Sequence, residues 1–125
     1  MADPVFITGV PFTPLFHRDG SRVRATGLFA FARRDGSRRL VLHLELTEAI
    51  NQRAVMGHPR SEWAASQGFN ELLVCLASAS ASLASQDRAA PVDWHPEAEV
   101  WFEGGATAIA RPEGVALRAQ LAGRP

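Results

Sequence analysis

Six arginines in two closely spaced groups are the residues of this sequence best suited to bind phosphate. Each guanidinium presents a planar fork of N–H donors that pairs with two phosphate oxygens and stays charged at neutral pH. The six are Arg22, Arg24, Arg33, Arg34, Arg38 and Arg39. Charged residues are also ordinary at the solvated tips of hairpins. The sequence therefore leaves two interpretations open, a phosphate-tracking groove and a solvated surface.

A histidine and a glutamate two residues apart, His43 and Glu45, form a second candidate site. Alternate residues of a strand share a face, so this pair has the geometry for acid–base chemistry. The other histidines are scattered along the chain at His17, His58 and His95. Metal-ligand spacing such as His-Glu-x-x-His is missing, as are a Gly-rich phosphate loop and a Gly-x-Ser-x-Gly turn. We therefore expect a protein that is not an enzyme, with no metal and no cofactor.

Composition favours one soluble domain covering residues 1–125. No apolar run approaches the ~20 residues that cross a bilayer, and the N-terminus lacks a basic segment followed by an apolar one, so we expect a cytoplasmic protein without a membrane partner. The single cysteine, Cys75, excludes an internal disulfide. Nine arginines and five carboxylates precede Ser61, a net charge of 9 − 5 = +4 that the rest of the chain cancels. The first half could therefore present a basic face to a polyanion.

The stretch that positions both candidate sites is a predicted β-hairpin. Asp35-Gly36 separates two alternating apolar runs and predicts a two-residue loop, which pairs Phe31 with Leu40 and Phe29 with Leu42. This register makes one face of the hairpin wholly apolar and leaves the other as the working surface. The outward positions are Arg24, Thr26, Leu28, Arg39, Val41, His43 and Glu45.

The turn sequence Arg-Asp-Gly-Ser-Arg occurs twice, at 18–22 and at 34–38, and predicts a second two-residue loop at Asp19-Gly20. It pairs Phe16 with Val23 and completes a three-stranded meander. The first strand, Val5 to Phe16, is expected at an edge or with a sharp bend because of its two prolines.

Apolar residues at helical spacing predict a helix that begins after Ser61, with a kink or break at Gly68. The spaced residues are Phe69, Leu72, Leu73, Leu76 and Leu83. A shorter helix is predicted within 48–55 and a loop over 86–96. A strand at 98–102 then continues past a bend at Gly104-Gly105, and a last strand follows at 115–121.

This order, three strands, a helix and two strands (βββαββ), is that of the OB fold, a five-stranded partly open barrel, although an α+β sheet has the same order. Local sequence favours the barrel. Val5-Phe6-Ile7-Thr8-Gly9-Val10 and the turn at 19–22 resemble the opening of the bacterial single-stranded DNA-binding and PriB-like OB-fold family. Val100-Trp101-Phe102-Glu103-Gly104 is similar to that family's fourth strand, and Arg111-Pro112-Glu113-Gly114 falls where its last loop would be.

The resemblance implies a DNA replication or recombination accessory protein that binds single-stranded DNA with little sequence preference, with RNA as an open alternative. It also implies a homodimer or homotetramer. Trp101 points away from the barrel interior in the predicted register, which favours a subunit contact over a base-stacking platform. Arg111 and Arg118 would extend the phosphate track, and His43 would help replace the aromatic stacking residues that the predicted sheet face lacks. The family's replicative members carry a long tail with an acidic tip, which this sequence lacks, so an accessory role is expected.

Two other functions stay open at this point. One is an OB-like adaptor that binds a protein partner and no nucleic acid. The other, less favoured, is a small α+β enzyme that uses His43 and Glu45 in a cleft.

Overall fold

The computed structural model describes residues 5–7, 10–55, 57–76 and 92–102. Six strands, two short α-helices and one 3-10 helix make up this part of the chain. In order they are β1 (Val5–Ile7), β2 (Val10–Phe16), the 3-10 helix (Asp19–Arg22), β3 (Gly27–Asp35), β4 (Arg38–Thr47), α1 (Ile50–Arg53), α2 (Ser61–Ser66), β5 (Glu71–Leu76) and β6 (Val92–Phe102). Within these residues no helix is long and apolar enough to cross a membrane.

All six strands belong to one sheet in the order β1-β2-β5-β3-β4-β6, curled into a half-barrel. Neighbouring strands are antiparallel except for β4 and β6, which are parallel. The expectation of a mainly β, barrel-like fold is confirmed. The described sheet holds six strands rather than five, and its two α-helices are short.

Both faces of the sheet are buried, which explains why the central strands are almost continuously apolar. On β3, Leu28, Ala30 and Ala32 join one core cluster with residues of the other five strands. Phe29 and Phe31, between them in sequence, join a second cluster on the opposite face, where α1 and α2 contribute Ile50, Ala54 and Ala64. The predicted exposed face of the hairpin is therefore wrong, because Leu28 and Val41 are fully buried.

The β3–β4 hairpin itself is confirmed, but its register differs from the prediction. The loop is Gly36-Ser37, since Asp35 pairs with Arg38 and Gly36 adopts a left-handed φ of 63°. Further along, the pairing shifts between Phe31 and Ala32, so that Phe31 pairs with His43. A β-bulge at this point leaves one extra residue on β4. Counting residue pairs outward from the loop could not predict this shift in register, because such a count assumes an unbroken ladder.

The predicted three-stranded meander is wrong. Asp19-Gly20 belongs to the 3-10 helix, and β2 pairs with β1 over Val10–Phe12 and with β5 over Thr13–Phe16, never with β3. Close packing explains the difference at Gly20, where a Cβ atom would lie 2.0 Å from the carbonyl oxygen of Ala54. The turn therefore docks against the end of α1 rather than closing a hairpin. The single strand predicted over Val5 to Phe16, at an edge or with a sharp bend, is two antiparallel strands, of which β1 lies at the edge of the sheet.

The helix predicted from Ser61 ends at Ser66, and the residues at 71–76 form β5 instead. The expected break is present at Gly68, whose φ is 92°. Leu72 and Val74 pack on one face of the sheet while Leu73 and Cys75 pack on the other. A strand buried on both faces has apolar residues in every position, and these fit a helical period by coincidence.

In the last described segment the strand predicted at 98–102 is confirmed, but β6 already begins at Val92, inside the predicted loop. The predicted continuation of the helix to Leu83, the bend at Gly104-Gly105 and the strand at 115–121 lie outside the described residues.

Candidate nucleic-acid interface

The arginines at the tip of the β3–β4 hairpin are all paired with carboxylates. Arg33 Nε lies 2.8 Å from Asp35 Oδ2, and an Arg38 terminal nitrogen lies 3.1 Å from Asp93 Oδ2. Two more arginines share Glu71: the hydrogen bonds from Arg39 are 2.5 and 3.3 Å long, and a terminal nitrogen of Arg34 lies at 3.5 Å. Three carboxylates thus largely cancel the four positive charges here, which weakens the attraction of this tip for phosphate.

Arg22 and Arg24 lie beyond the opposite end of β3. The eight residue steps of that strand correspond to about 26 Å, so the six predicted arginines form two separate groups rather than one groove. Arg22, Arg24 and the nearby Arg18 are exposed, and within the described part of the chain none of them forms an ion pair. Arg111 and Arg118 lie outside the described residues.

His43 and Glu45, the predicted acid–base pair, are brought together with His58, which the sequence did not connect to them. All three side chains are fully buried. Glu45 Oε1 accepts hydrogen bonds from Nε2 of His43 at 3.1 Å and of His58 at 2.7 Å, while Oε2 accepts one from Arg53 Nε at 2.6 Å. We call these four residues the Glu45 cluster. It joins β4 to α1 and to the loop before α2.

The donor set of the Glu45 cluster resembles that of a two-histidine, one-carboxylate metal site, and its three candidate ligand atoms lie within 4.8 Å of one another. A metal-bound imidazole, however, donates the N–H of its other ring nitrogen to an acceptor. His58 Nδ1 instead accepts the backbone N–H of Arg60 at 2.9 Å. His43 Nδ1 is buried with no hydrogen-bond partner among the described residues. Both Nε2 atoms therefore carry the proton, and the arrangement fits a hydrogen-bonded carboxylate better than a metal centre.

Electrostatics favour an ionised Glu45 and a neutral His43 in this cluster. Burial alone would raise the pKa of Glu45, but hydrogen bonds from His43, His58 and Arg53 outweigh it and hold the pKa well below its usual 4.5. Burial lowers the pKa of His43 below its usual 6.5 and outweighs the hydrogen bond that His43 donates to Glu45, and the nearby charge of Arg60 acts in the same direction as burial. One buried, negative carboxylate thus faces the partly exposed cation of Arg53.

Trp101 closes the outer side of the Glu45 cluster. Its ring meets His43 edge to face at 4.8 Å between centroids and His58 at 5.3 Å, and its indole N–H donates to Glu99 at 2.8 Å. The side chain is half-buried. With its ring against His43, only part of Trp101 is available for the predicted subunit contact.

One large apolar side chain stands out at the surface of the described residues. Phe16, at the end of β2, is 59% exposed. Its ring lies 4.5 Å from that of His17, which in turn meets Phe69 edge to face at 5.7 Å. This row of three rings lies next to Arg18 in the chain, so exposed aromatic surface and unpaired positive charge coincide here.

A cavity lies on each side of the row. One, of about 340 Å³, is lined by His17, Arg18, Ser21, Phe31, Ala54, Val55 and Phe69. The other, of about 410 Å³, is lined by Pro14, Leu15, Phe16, Arg34, Asn70 and Glu71. Asn70 ties Arg34 in place, since its side chain accepts the Arg34 N–H at 2.7 Å and donates to the Arg34 carbonyl at 3.2 Å. The aromatic row therefore has an arginine on either side.

We name Phe16, His17, Arg18 and Arg34 the Phe16 surface. Of these residues only Arg34 was among the binding residues predicted from the sequence. The consecutive run Phe16-His17-Arg18 is the signal that could have identified it, because aromatic and basic residues side by side are typical of single-stranded nucleic-acid binding. The Phe16 surface was missed because the run was assigned to the end of a strand and to a turn.

Comparison of the chain with protein-family models, with curated proteins and with solved structures finds no match. The site must therefore be judged on its own geometry.

Proposed function

We propose that this protein binds single-stranded DNA, without catalysis, through the Phe16 surface. The observation that carries the proposal is the exposed ring of Phe16 beside arginines that no carboxylate fully neutralises. Stacking of bases on aromatic rings, combined with positive charge along the backbone path, is the usual means of binding single strands with little sequence preference.

The charges around Phe16 support this location over the hairpin tip. Residues 18–24 contain three arginines and one aspartate, a local charge of 3 − 1 = +2 with no ion pair in the described residues. On the other side, Arg34 keeps half of its side chain exposed and reaches Glu71 only at 3.5 Å. A strand that crosses Phe16 would therefore meet an arginine before and after the stacked base.

The OB-type barrel and the homo-oligomer belong to the same proposal. The curl of the sheet supports a barrel. The pairing order does not follow the consecutive meander that the turn sequences predicted, so the proposal depends on the Phe16 surface rather than on fold. A partner-binding adaptor would use the same exposed ring, and it is the competing outcome of the experiment below.

The test is fluorescence anisotropy with a labelled oligo-dT of about 35 nucleotides at low and moderate salt, where phosphate-driven binding weakens steeply as salt rises. Phe16→Ala removes one stacking ring, worth about 1–3 kcal/mol per base. Since His17 covers one side of that ring, we expect the lower half of the range, about a 5- to 30-fold increase in Kd. Arg18→Gln should reduce the salt slope by about one unit.

Arg38→Gln is the matched control, because Arg38 is also exposed but is paired with Asp93 at the hairpin tip. It should change Kd by less than about 2-fold, as expected for a charge already neutralised. An effect of Arg38→Gln as large as that of Arg18→Gln would move the site to the hairpin tip. No binding at low salt would refute the proposal and leave Phe16 as a contact for a protein partner.

A further inference from the structure

The cavity beside His17 is partly enclosed. Its floor is Phe31 of β3, which is 1% exposed, so the cavity reaches down to the face of the sheet. Ala54 and Val55, which follow α1, and Phe69, which precedes β5, form its walls. Its volume of about 340 Å³ lies at the lower end of the range for small-molecule pockets.

The walls of this cavity suit a flat, aromatic group. The rings of Phe31 and Phe69 lie 4.7 Å apart and are tilted by 43°, and His17 meets Phe69 edge-on. Aromatic side chains bind other aromatic groups by offset stacking or edge-to-face contact. The ligand class that the interior favours is therefore planar and weakly polar.

Among the described residues, two polar groups that line the cavity, on His17 and Arg18, are free to bind a ligand. His17 Nδ1 is buried and has no hydrogen-bond partner within the described chain. A buried polar atom without a hydrogen-bond partner destabilises the folded protein, and a hydrogen bond to a ligand would remove this penalty. The guanidinium of Arg18 at the rim forms no ion pair in the same residues, so it attracts an anion.

We infer that this cavity accepts one nucleotide, with the base packed against the rings of Phe31 and Phe69 and the phosphate on Arg18. A nucleobase is planar and carries donors and acceptors at its edge, so it can satisfy His17 Nδ1 in either tautomer. The inference rests on the proposed function and deepens it: one base of the strand leaves the stack and enters the cavity, while its neighbour packs on Phe16. A free mononucleotide should then bind on its own.

The experiment compares dTMP, thymidine and inorganic phosphate by isothermal titration calorimetry and by chemical-shift perturbation. We expect dTMP to bind at least about 10-fold more tightly than either fragment, because it alone engages both the rings and Arg18. Val55→Phe fills the cavity and should weaken dTMP binding by at least about 10-fold. The matched control is Val92→Phe, the same substitution on the opposite face of the sheet, where Val92 packs on the first core cluster. It should leave dTMP binding unchanged, and circular dichroism and thermal melting confirm that both variants fold.

The outcomes separate the inference from the proposed function. Oligo-dT binding without dTMP binding would overturn the nucleotide pocket and leave the Phe16 surface standing, whereas no binding of either would overturn both. Equal binding of dTMP and inorganic phosphate would show that the base stays outside. Equal dTMP affinity in Val55→Phe and the unaltered protein would also overturn the inference.

Discussion

Replacement of Glu45 by glutamine tests whether the Glu45 carboxylate is shielded from water and held by three hydrogen-bond donors. The carboxylate accepts hydrogen bonds from His43, His58 and Arg53, whereas the amide of glutamine offers one oxygen and an NH₂ group. Glu45→Gln therefore places a donor against donors. It also leaves the cation of Arg53 without the negative charge that it faces in a buried site.

Breaking a buried ion pair from one side typically costs about 3–5 kcal/mol. The side chain of Arg53 is 28% exposed, so water can take over part of its solvation, and we expect the lower end, about 3 kcal/mol. The assay is urea unfolding followed by circular dichroism. The midpoint should fall while the slope of the transition stays constant, as for a loss of stability without a change in compactness.

Asp35→Asn is the control, since it removes an ion pair of similar length at the surface. The Arg33 and Asp35 side chains are 44% and 64% exposed, and we expect a change within about 0.5 kcal/mol. A Glu45→Gln effect below about 1 kcal/mol, close to that of the control, would show that water reaches the cluster and would refute the reasoning.

Three further predictions follow from the same structure. Folding lowers the pKa of both His43 and Glu45, so the unfolded chain binds more protons and stability should fall on acidification, first below pH 6.5 and again below pH 4.5. Urea midpoints at about pH 8, 6 and 4 check this, and a constant midpoint would contradict it. Gly20→Ala places a Cβ atom 2.0 Å from the Ala54 carbonyl oxygen and should lower stability by at least about 1–3 kcal/mol in the same assay. At Gly36 the backbone has a left-handed φ of 63°, and a Cβ there would contact nothing, so Gly36→Ala should lower stability by about 1 kcal/mol through backbone strain alone. Gly36→Asn should lower stability less, and equal effects of the two substitutions would argue against that conformation.

Two of the local turn signals were predicted well from the sequence, although the turn at Asp19-Gly20 was not. Asp35-Gly36 located the hairpin to within one residue, and Gly68 marked the end of a helix. The register could not be derived, because the bulge between Phe31 and Ala32 depends on how β4 packs against both neighbours. For β5, burial on both faces removed the alternation that distinguishes a strand from a helix.

The candidate sites show the same division between local and long-range information. The pairing of His43 with Glu45 follows from their spacing in one strand and was predicted. His58 joins them from 13 positions further along, through a loop that no periodicity describes. Similarly, the contact of Glu71 with Arg39 was invisible until β5 was recognised as a strand. Long-range pairing decided which arginines keep their charge available.

The two-sided burial of the central sheet affects how the chain avoids misfolding. In most sheets a slip of one residue exposes apolar side chains and is rejected for that reason. In β3, from Leu28 to Phe31, a slipped strand would still place apolar groups on both faces, so hydrophobicity discriminates weakly between alignments. The correct alignment must be selected by features that are satisfied in only one register. One is Gly27, where a Cβ would lie 2.2 Å from the Cys75 carbonyl oxygen, and the other is Glu45, which lies opposite Arg53. Weakening either feature should therefore favour mispaired, aggregation-prone chains during refolding as well as lowering native stability.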